Sequence, residues 1–296
     1  MRIQVALIGH HHPDVATTLN NIGRQYVLDD KFDDALLCYE DALRIRCEKL
    51  GNDSLDYAAT ALNAGQILHQ KREHDKALNL YFKFLRIVRA KFTNNHYVTD
   101  VLRSIAEIYK EKNFFDKAIA FYEESLESTK VVLGEYNSEV ALIFARIGNI
   151  HFEQGNLDAA LQAYSSGLRV ERHLLHPDHP NIIMALTIIG EIYMQKSGWD
   201  DAARIYNEVL ELQHSTFGVE HEDISSTLDA HGYWRQQNLE RMRQAITTDD
   251  LMDTCVSNSA LPTPVNKDHF SSSLPIELVS SAPEIFIEGT KVIAKT

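Results

Sequence analysis

Cysteines, basic residues and long apolar segments are all scarce in this sequence of 296 residues. Its three cysteines include no C-x-x-C pair, and an odd number in so long a chain favours reduced thiols over a disulfide framework. No stretch approaches the ~20 apolar residues of a transmembrane helix. The apolar run at the N-terminus is also too short for a secretory signal. We therefore expect a cytoplasmic protein without a membrane-spanning segment.

The charge balance excludes further classes of partner. Asp and Glu number 42 against 29 Lys and Arg, which gives a formal net charge of −13. General nucleic-acid binding needs a basic footprint, and docking on anionic lipid also depends on basic residues. We therefore expect neither a nucleic acid nor a membrane as partner.

Common catalytic and nucleotide-binding motifs are missing as well. The sequence contains no G-x-x-x-x-G-K-[ST], G-x-G-x-x-G, G-x-S-x-G or H-E-x-x-H. The run from His10 to His12 suggests a metal, but it falls in a loop of the repeat described below, and no Cys or carboxylate spacing completes a ligand set. We predict no catalytic residue, no cofactor and no built metal site, and hence a protein that is not an enzyme.

A residue pattern that returns about every 42 positions dominates what is present. Each unit has a small residue, an Ala twelve positions later, and a Tyr four positions after the Ala. The small residues are Gly23, Gly65, Ala106, Gly148 and Gly190. The tyrosines are Tyr39, Tyr81, Tyr122, Tyr164 and Tyr206. Self-similarity at a period of 20–50 residues is the signature of a solenoid.

Each unit has the pattern of two helices joined by a polar turn. In the first unit Leu19, Gly23 and Tyr26 share one helical face. We expect Gly23 to face Ala35, so that the two helices approach closely, with Tyr26 and Tyr39 in the flanking gaps. The predicted fold class is all-α, a right-handed α-solenoid of stacked helix pairs.

The phase of the pattern divides the chain into a repeat array over residues 1–246 and a tail over 247–296. Complete repeats are predicted at about 12–54, 55–96, 97–137, 138–180 and 181–222. Residues 1–11 look like the remnant of a preceding repeat, and 223–246 like a partial repeat that caps the stack. The tail holds four of the seven prolines and several serines. That composition predicts a mostly disordered segment.

This pattern resembles the tetratricopeptide repeat, and its long period resembles the kinesin light chain branch of that family. The match is closest over 12–23, 32–36 and 42–46, and it covers about residues 1–237. The resemblance implies a scaffold or adaptor that binds proteins or peptides. One alternative is a cargo adaptor of a microtubule motor, with the kinesin heavy chain as partner. Another is the regulatory repeat region of a larger, N-terminally truncated signalling ATPase.

The resemblance also implies where a ligand binds. In this family the first helices line a concave groove, and positions three before, one after and four after the small residue point into it. Carried over here, with two neighbouring residues added, the groove comprises Asn20, Arg24, Asn63, Gln66, Arg103, Lys110, Arg146, Asn149, Phe152 and Met194. Amides can hold an extended peptide backbone, and Arg can bind carboxylates through two parallel hydrogen bonds.

We accordingly predict that the groove binds an acidic peptide, with an apolar side chain anchored near Phe152 and Met194. The rival interpretation is that these residues form a solvated helix face. A further hypothesis is autoinhibition, in which the acidic segment 249–253 or the segment 284–288 of the tail occupies the groove.

Overall fold

The computed structural model describes residues 10–92 and 96–217, together with Gly232; for 214–217 it describes the backbone alone. These residues form ten α-helices and, within the described ranges, no strand. The helices are α1 Pro13–Leu28, α2 Phe32–Leu50, α3 Leu55–Gln70, α4 His74–Lys91, α5 His96–Glu111, α6 Phe115–Leu133, α7 Ser138–Glu153, α8 Leu157–Leu174, α9 Pro180–Gln195 and α10 Trp199–Phe217. The predicted all-α fold of stacked helix pairs is confirmed.

The predicted terminal segments fall almost entirely outside the described residues. This applies to the repeat remnant at 1–11 apart from its last two residues, to the partial repeat at 223–246 apart from Gly232, and to the whole tail at 247–296.

Packing follows the order of the chain. The two helices of a repeat pack on each other, and the second helix then packs on the first helix of the following repeat. Each repeat therefore buries its apolar face against its neighbours, as expected of a solenoid. The result is a series of hydrophobic clusters that runs the length of the array.

The small residue of each repeat makes room for the tyrosine ring. A Cβ atom built on Gly23 would lie 2.7 Å from the ring of Tyr39, and one on Gly65 would lie 2.8 Å from the ring of Tyr81. Both rings are buried. This corrects the expected pairing of Gly23 with Ala35: Ala35 is fully buried, but the group that needs the space is the ring one helical turn later.

A residue in the left-handed conformation closes the turn between the two helices of each repeat. Positive φ angles occur at Asp30, Arg72, Asn113, Gly155 and Ser197. In the second repeat the N–H of Glu73 donates to the carbonyl of Leu68 at 2.8 Å, and the N–H of Arg72 donates to the carbonyl of His69. This pattern of bonds is a Schellman-type cap, which satisfies the last carbonyl groups of the first helix.

Side-chain caps begin several of the first helices. Nδ1 of His12 accepts a hydrogen bond from the N–H of Asp14, and Nδ1 of His179 accepts one from Asn181, both at 3.2 Å. Each cap satisfies an N–H group that has no partner within the helix. His12 thus has a structural part in the loop, which accounts for one member of the histidine run without a metal.

Candidate peptide-binding face

Side chains of successive first helices meet directly across repeats. Nδ2 of Asn63 on α3 donates to Oδ1 of Asn20 on α1 at 3.2 Å. Nζ of Lys110 on α5 lies 3.0 Å from a carboxylate oxygen of Glu153 on α7. Such contacts place the first helices side by side. We call the surface formed by α1, α3, α5, α7 and α9 the first-helix face.

The three asparagines that were predicted to line the groove are buried. Asn20 and Asn63 are 4% and 1% exposed, and they bind each other. Asn149 is 7% exposed, and its side-chain oxygen accepts a hydrogen bond from the hydroxyl of Tyr164. Their amides join helices in this structure, so a ligand has to exchange these bonds to reach them. Their part in peptide binding stays a prediction.

Two of the predicted arginines are engaged in ion pairs with neighbouring first helices. Arg103 on α5 lies 3.1 Å from Asp100 on its own helix and also contacts Glu139 on α7. Arg146 on α7 contacts Glu107 on α5. The face around α5 and α7 therefore carries both acidic and basic side chains, although the groove residues predicted from the sequence included only the basic ones. Glu107 occupies the position after a small residue, so its spacing already indicated a place on this face.

The guanidinium of Arg146 is largely buried and one of its nitrogens lacks a partner among the described residues. Burial lowers its pKa to about 10, and the positive charge of Arg103 adds to the shift. Its Nε atom is buried and has no hydrogen-bond partner among the described residues. The cationic form is thus held in surroundings that disfavour it, and an additional anion beside it would be stabilised.

The remaining predicted residues are half-buried on the same helices. Arg24 lies on α1 and Gln66 on α3, and the charge of Arg24 counteracts the burial that raises the pKa of Tyr39. Phe152 packs against the hydrophobic cluster of the fourth and fifth repeats. Met194 follows on α9 with part of its side chain exposed. Their part in ligand binding stays a prediction.

Comparison with known proteins supports the predicted kind of repeat. The family described as Tetratricopeptide repeat matches residues 1–48 and 97–172. The repeat predicted from the sequence is thus recognised as a tetratricopeptide repeat over these two stretches. This match supports the coarse functional prediction of a protein-interaction scaffold.

A curated relative supports the kinesin light chain-like kind of repeat. Protein KINESIN LIGHT CHAIN-RELATED 3 of Arabidopsis thaliana is 29% identical over 147 residues, which are 50% of this chain and 22% of the relative. The matched part of the chain thus spans about a fifth of that relative's length.

Solved structures agree in fold. Nearly identical TPR-like repeats of a Podosopora anserina kinesin light chain superpose with a TM-score of 0.58 at 13% identity, covering 70% of this chain and 99% of theirs. BtubC (BKLC) from P. vanneervenii gives a TM-score of 0.53 at 18% identity, covering 81% of this chain and 98% of its own. Identities this low show the fold alone. Within the described ranges, no helix of this repeat array has the length and apolar character needed to cross a membrane.

Proposed function

We propose that the first-helix face binds an extended, acidic peptide segment of a partner protein in the cytoplasm, without catalysis. The observation that carries this proposal is the buried Nε of Arg146, which has no hydrogen-bond partner among the described residues, next to Arg103 on the neighbouring first helix. A carboxylate of the peptide would accept a hydrogen bond from this nitrogen. The half-buried Phe152 and Met194 lie further along the same face and offer contact area for an apolar side chain of the peptide.

The ion pairs already on the face define the kind of acidic peptide that fits. Glu107 and Glu139 are close to the two guanidinium groups, so they repel carboxylates placed elsewhere along the face. An incoming carboxylate gains most where it contacts Arg146 directly, because paired hydrogen bonds from a guanidinium are stronger than neutral ones. We therefore expect preference for one or two correctly spaced acids over a long polyacidic run.

The test is a quantitative pull-down from lysate of the source organism. The groove variant carries Arg103→Gln and Arg146→Gln. Gln is preferred to Glu because a new carboxylate at position 103 would face Asp100 and Glu139 and would destabilise the array. The control carries Arg86→Gln and Arg172→Gln, which remove the same charge from the second helices, where these arginines pair with Asp53 and Glu208.

Partners that the groove variant loses and the control variant retains would support the proposal. Equal losses from both variants would assign the effect to net charge, and unchanged partners in both would rule out the face as the binding site. Acidic peptides from the lost partners would then be tested for binding, beside the same peptides with Gln in place of the acidic residues.

A cargo adaptor of a microtubule motor is the second candidate, favoured by the kinesin light chain-related relative. Kinesin heavy chain among the partners retained by both variants would support this candidate, because it would indicate a motor attachment apart from the peptide site. Its absence from every pull-down would favour a scaffold that works outside a motor complex.

A further inference from the structure

Among the described residues, His69, His74 and Glu111 bring three possible metal-ligand atoms within 4.8 Å of one another. His69 lies in the last turn of α3, His74 is the first residue of α4, and Glu111 is the last residue of α5. Nε2 of His69 is 3.8 Å from one carboxylate oxygen of Glu111, and Nε2 of His74 is 3.4 Å from the other. The cluster joins the second repeat to the third.

One nitrogen of the His74 ring lacks the partner that a buried polar atom usually has. Its Nδ1 atom is buried and makes no hydrogen bond within the described part of the chain. Because Nε2 faces Glu111, a cation bound to Nε2 would fix the tautomer that carries its proton on Nδ1.

We propose that His69, His74 and Glu111 form a binding site for a divalent transition-metal ion of the zinc class. Two imidazoles and a carboxylate suit Zn²⁺, and three protein ligands leave a fourth position for water or for a group of a bound partner. Ligand atoms at about 2.0–2.2 Å from Zn²⁺ lie roughly 3.4 Å apart in a tetrahedron. The distance from Nε2 of His74 to a carboxylate oxygen of Glu111 already matches this value, and side-chain rotation has to close the other separations, which lie within 4.8 Å, by up to about 1.4 Å.

The surroundings allow a metal to enter and do not block the carboxylate. The side chain of Glu111 is 42% exposed, which gives access from solvent. The neighbouring Lys112 is directed to Asp75, with Nζ 2.6 Å from a carboxylate oxygen, so it does not compete for Glu111. A metal here would tie α3 and α4 to α5 and so fix the second repeat against the third.

The experiment titrates the full chain with Co²⁺, which reports tetrahedral nitrogen and oxygen ligation by its visible absorption, and then competes with Zn²⁺. All proteins carry His10→Asn and His11→Asn to remove adventitious ligands, whereas His12 is kept because it caps α1. We expect one Co²⁺ per chain, displaced by Zn²⁺. Glu111→Gln and His74→Gln should each raise the Co²⁺ dissociation constant at least about tenfold.

The matched control is His176→Gln, which removes an exposed histidine beside a carboxylate, Asp178, elsewhere in the array. It should bind Co²⁺ as the parent does. Equal dissociation constants for Glu111→Gln and His176→Gln would overturn the proposal, as would an absence of tetrahedral absorption bands in the parent. Circular dichroism checks that each variant is folded. If the substitution at the half-buried His74 disturbs packing, the substitution at the exposed Glu111 still tests the site.

Discussion

At the scale of single residues, the contact between a small residue and a tyrosine explains why both recur at the same positions of every repeat. In the four repeats that have a glycine at this position, the tyrosine ring lies against the first helix close to where a Cβ would stand. The third repeat has Ala106 at this position and still buries Tyr122. The third repeat therefore accommodates one methyl group at this position, and this predicts a larger cost for larger side chains.

Gly65→Leu should destabilise the array by roughly 1–3 kcal/mol or more, because the isobutyl group would occupy the space of the buried Tyr81 ring. Gly65→Ala should cost much less, since the third repeat already contains that pair. The measurement is thermal unfolding followed by circular dichroism. Ala90→Leu, on the exposed side of α4, serves as control and should leave Tm nearly unchanged. A Tm for Gly65→Leu equal to that of the control would contradict the contact.

Glu171 offers a residue-scale prediction about pH. Burial raises the pKa of its carboxyl, so the folded state holds the proton more tightly than the unfolded state does. The stability from this proton is complete below the unfolded pKa of about 4.3 and is lost as pH rises through the raised pKa. At pH 7 the half-buried carboxylate therefore destabilises the fold.

Glu171→Gln should accordingly raise Tm at pH 7, and the difference from the parent should shrink toward zero near pH 4. Thermal unfolding across this pH range measures it. Glu123→Gln, which changes an exposed residue, is the control and should show no such trend. A constant difference for Glu171→Gln at every pH would mean that packing, not ionisation, is responsible.

At the scale of elements, the turn within each repeat shows what the sequence could and could not predict. The small-residue and tyrosine phases were enough to place two helices per unit. The left-handed residue that closes the turn was missed, because only Gly155 of the five is a glycine. Asp, Asn and Ser give a weak signal for this conformation, and Arg72 gives none. The backbone bonds of the cap impose the conformation in spite of the side chain.

This mismatch makes the turns a place where stability can be gained. Arg72 has a φ of 59°, which is unfavourable for a side chain without local hydrogen bonding. Arg72→Gly should therefore stabilise the array by about 0.5–1 kcal/mol after the larger backbone entropy of unfolded Gly is included. Asn113 has the same φ, yet Asn tolerates the left-handed region. Asn113→Gly should thus change stability little, and equal Tm shifts for the two variants would contradict this account.

The candidate groove was less predictable than the helices for a related reason. Spacing identified which positions lie on the first helices, but not which of their side chains contact the next repeat. Asn20 and Asn63 are one repeat apart and bind each other, and Arg103 reaches Glu139 across the same kind of boundary. Such pairings depend on how far neighbouring repeats are offset from each other. Packing between the repeats sets this offset, and it cannot be read from the residue spacing within one repeat.

At the scale of the whole molecule, one ion pair recurs between successive repeats. A lysine at the end of a first helix contacts an aspartate at the start of the second helix of the preceding repeat. The pairs are Lys71 with Asp33, Lys112 with Asp75, and Lys196 with Asp158. At the boundary between the third and fourth repeats the equivalent residues are Gln154 and Asp116. This boundary therefore lacks an attraction that three others have.

Gln154→Lys should supply the missing pair and stabilise the array by about 0.2–1 kcal/mol at low ionic strength. The gain should fall as salt is added, because both side chains are exposed and screening acts on such pairs. Gln154→Glu is the matched control: it places a like charge near Asp116 and should lower Tm at low salt. In a solenoid each repeat is stabilised by its neighbours, so strengthening one boundary should make the unfolding transition sharper as well as raise its midpoint. Equal shifts for the Lys and Glu variants would show that stability is insensitive to the charge at position 154.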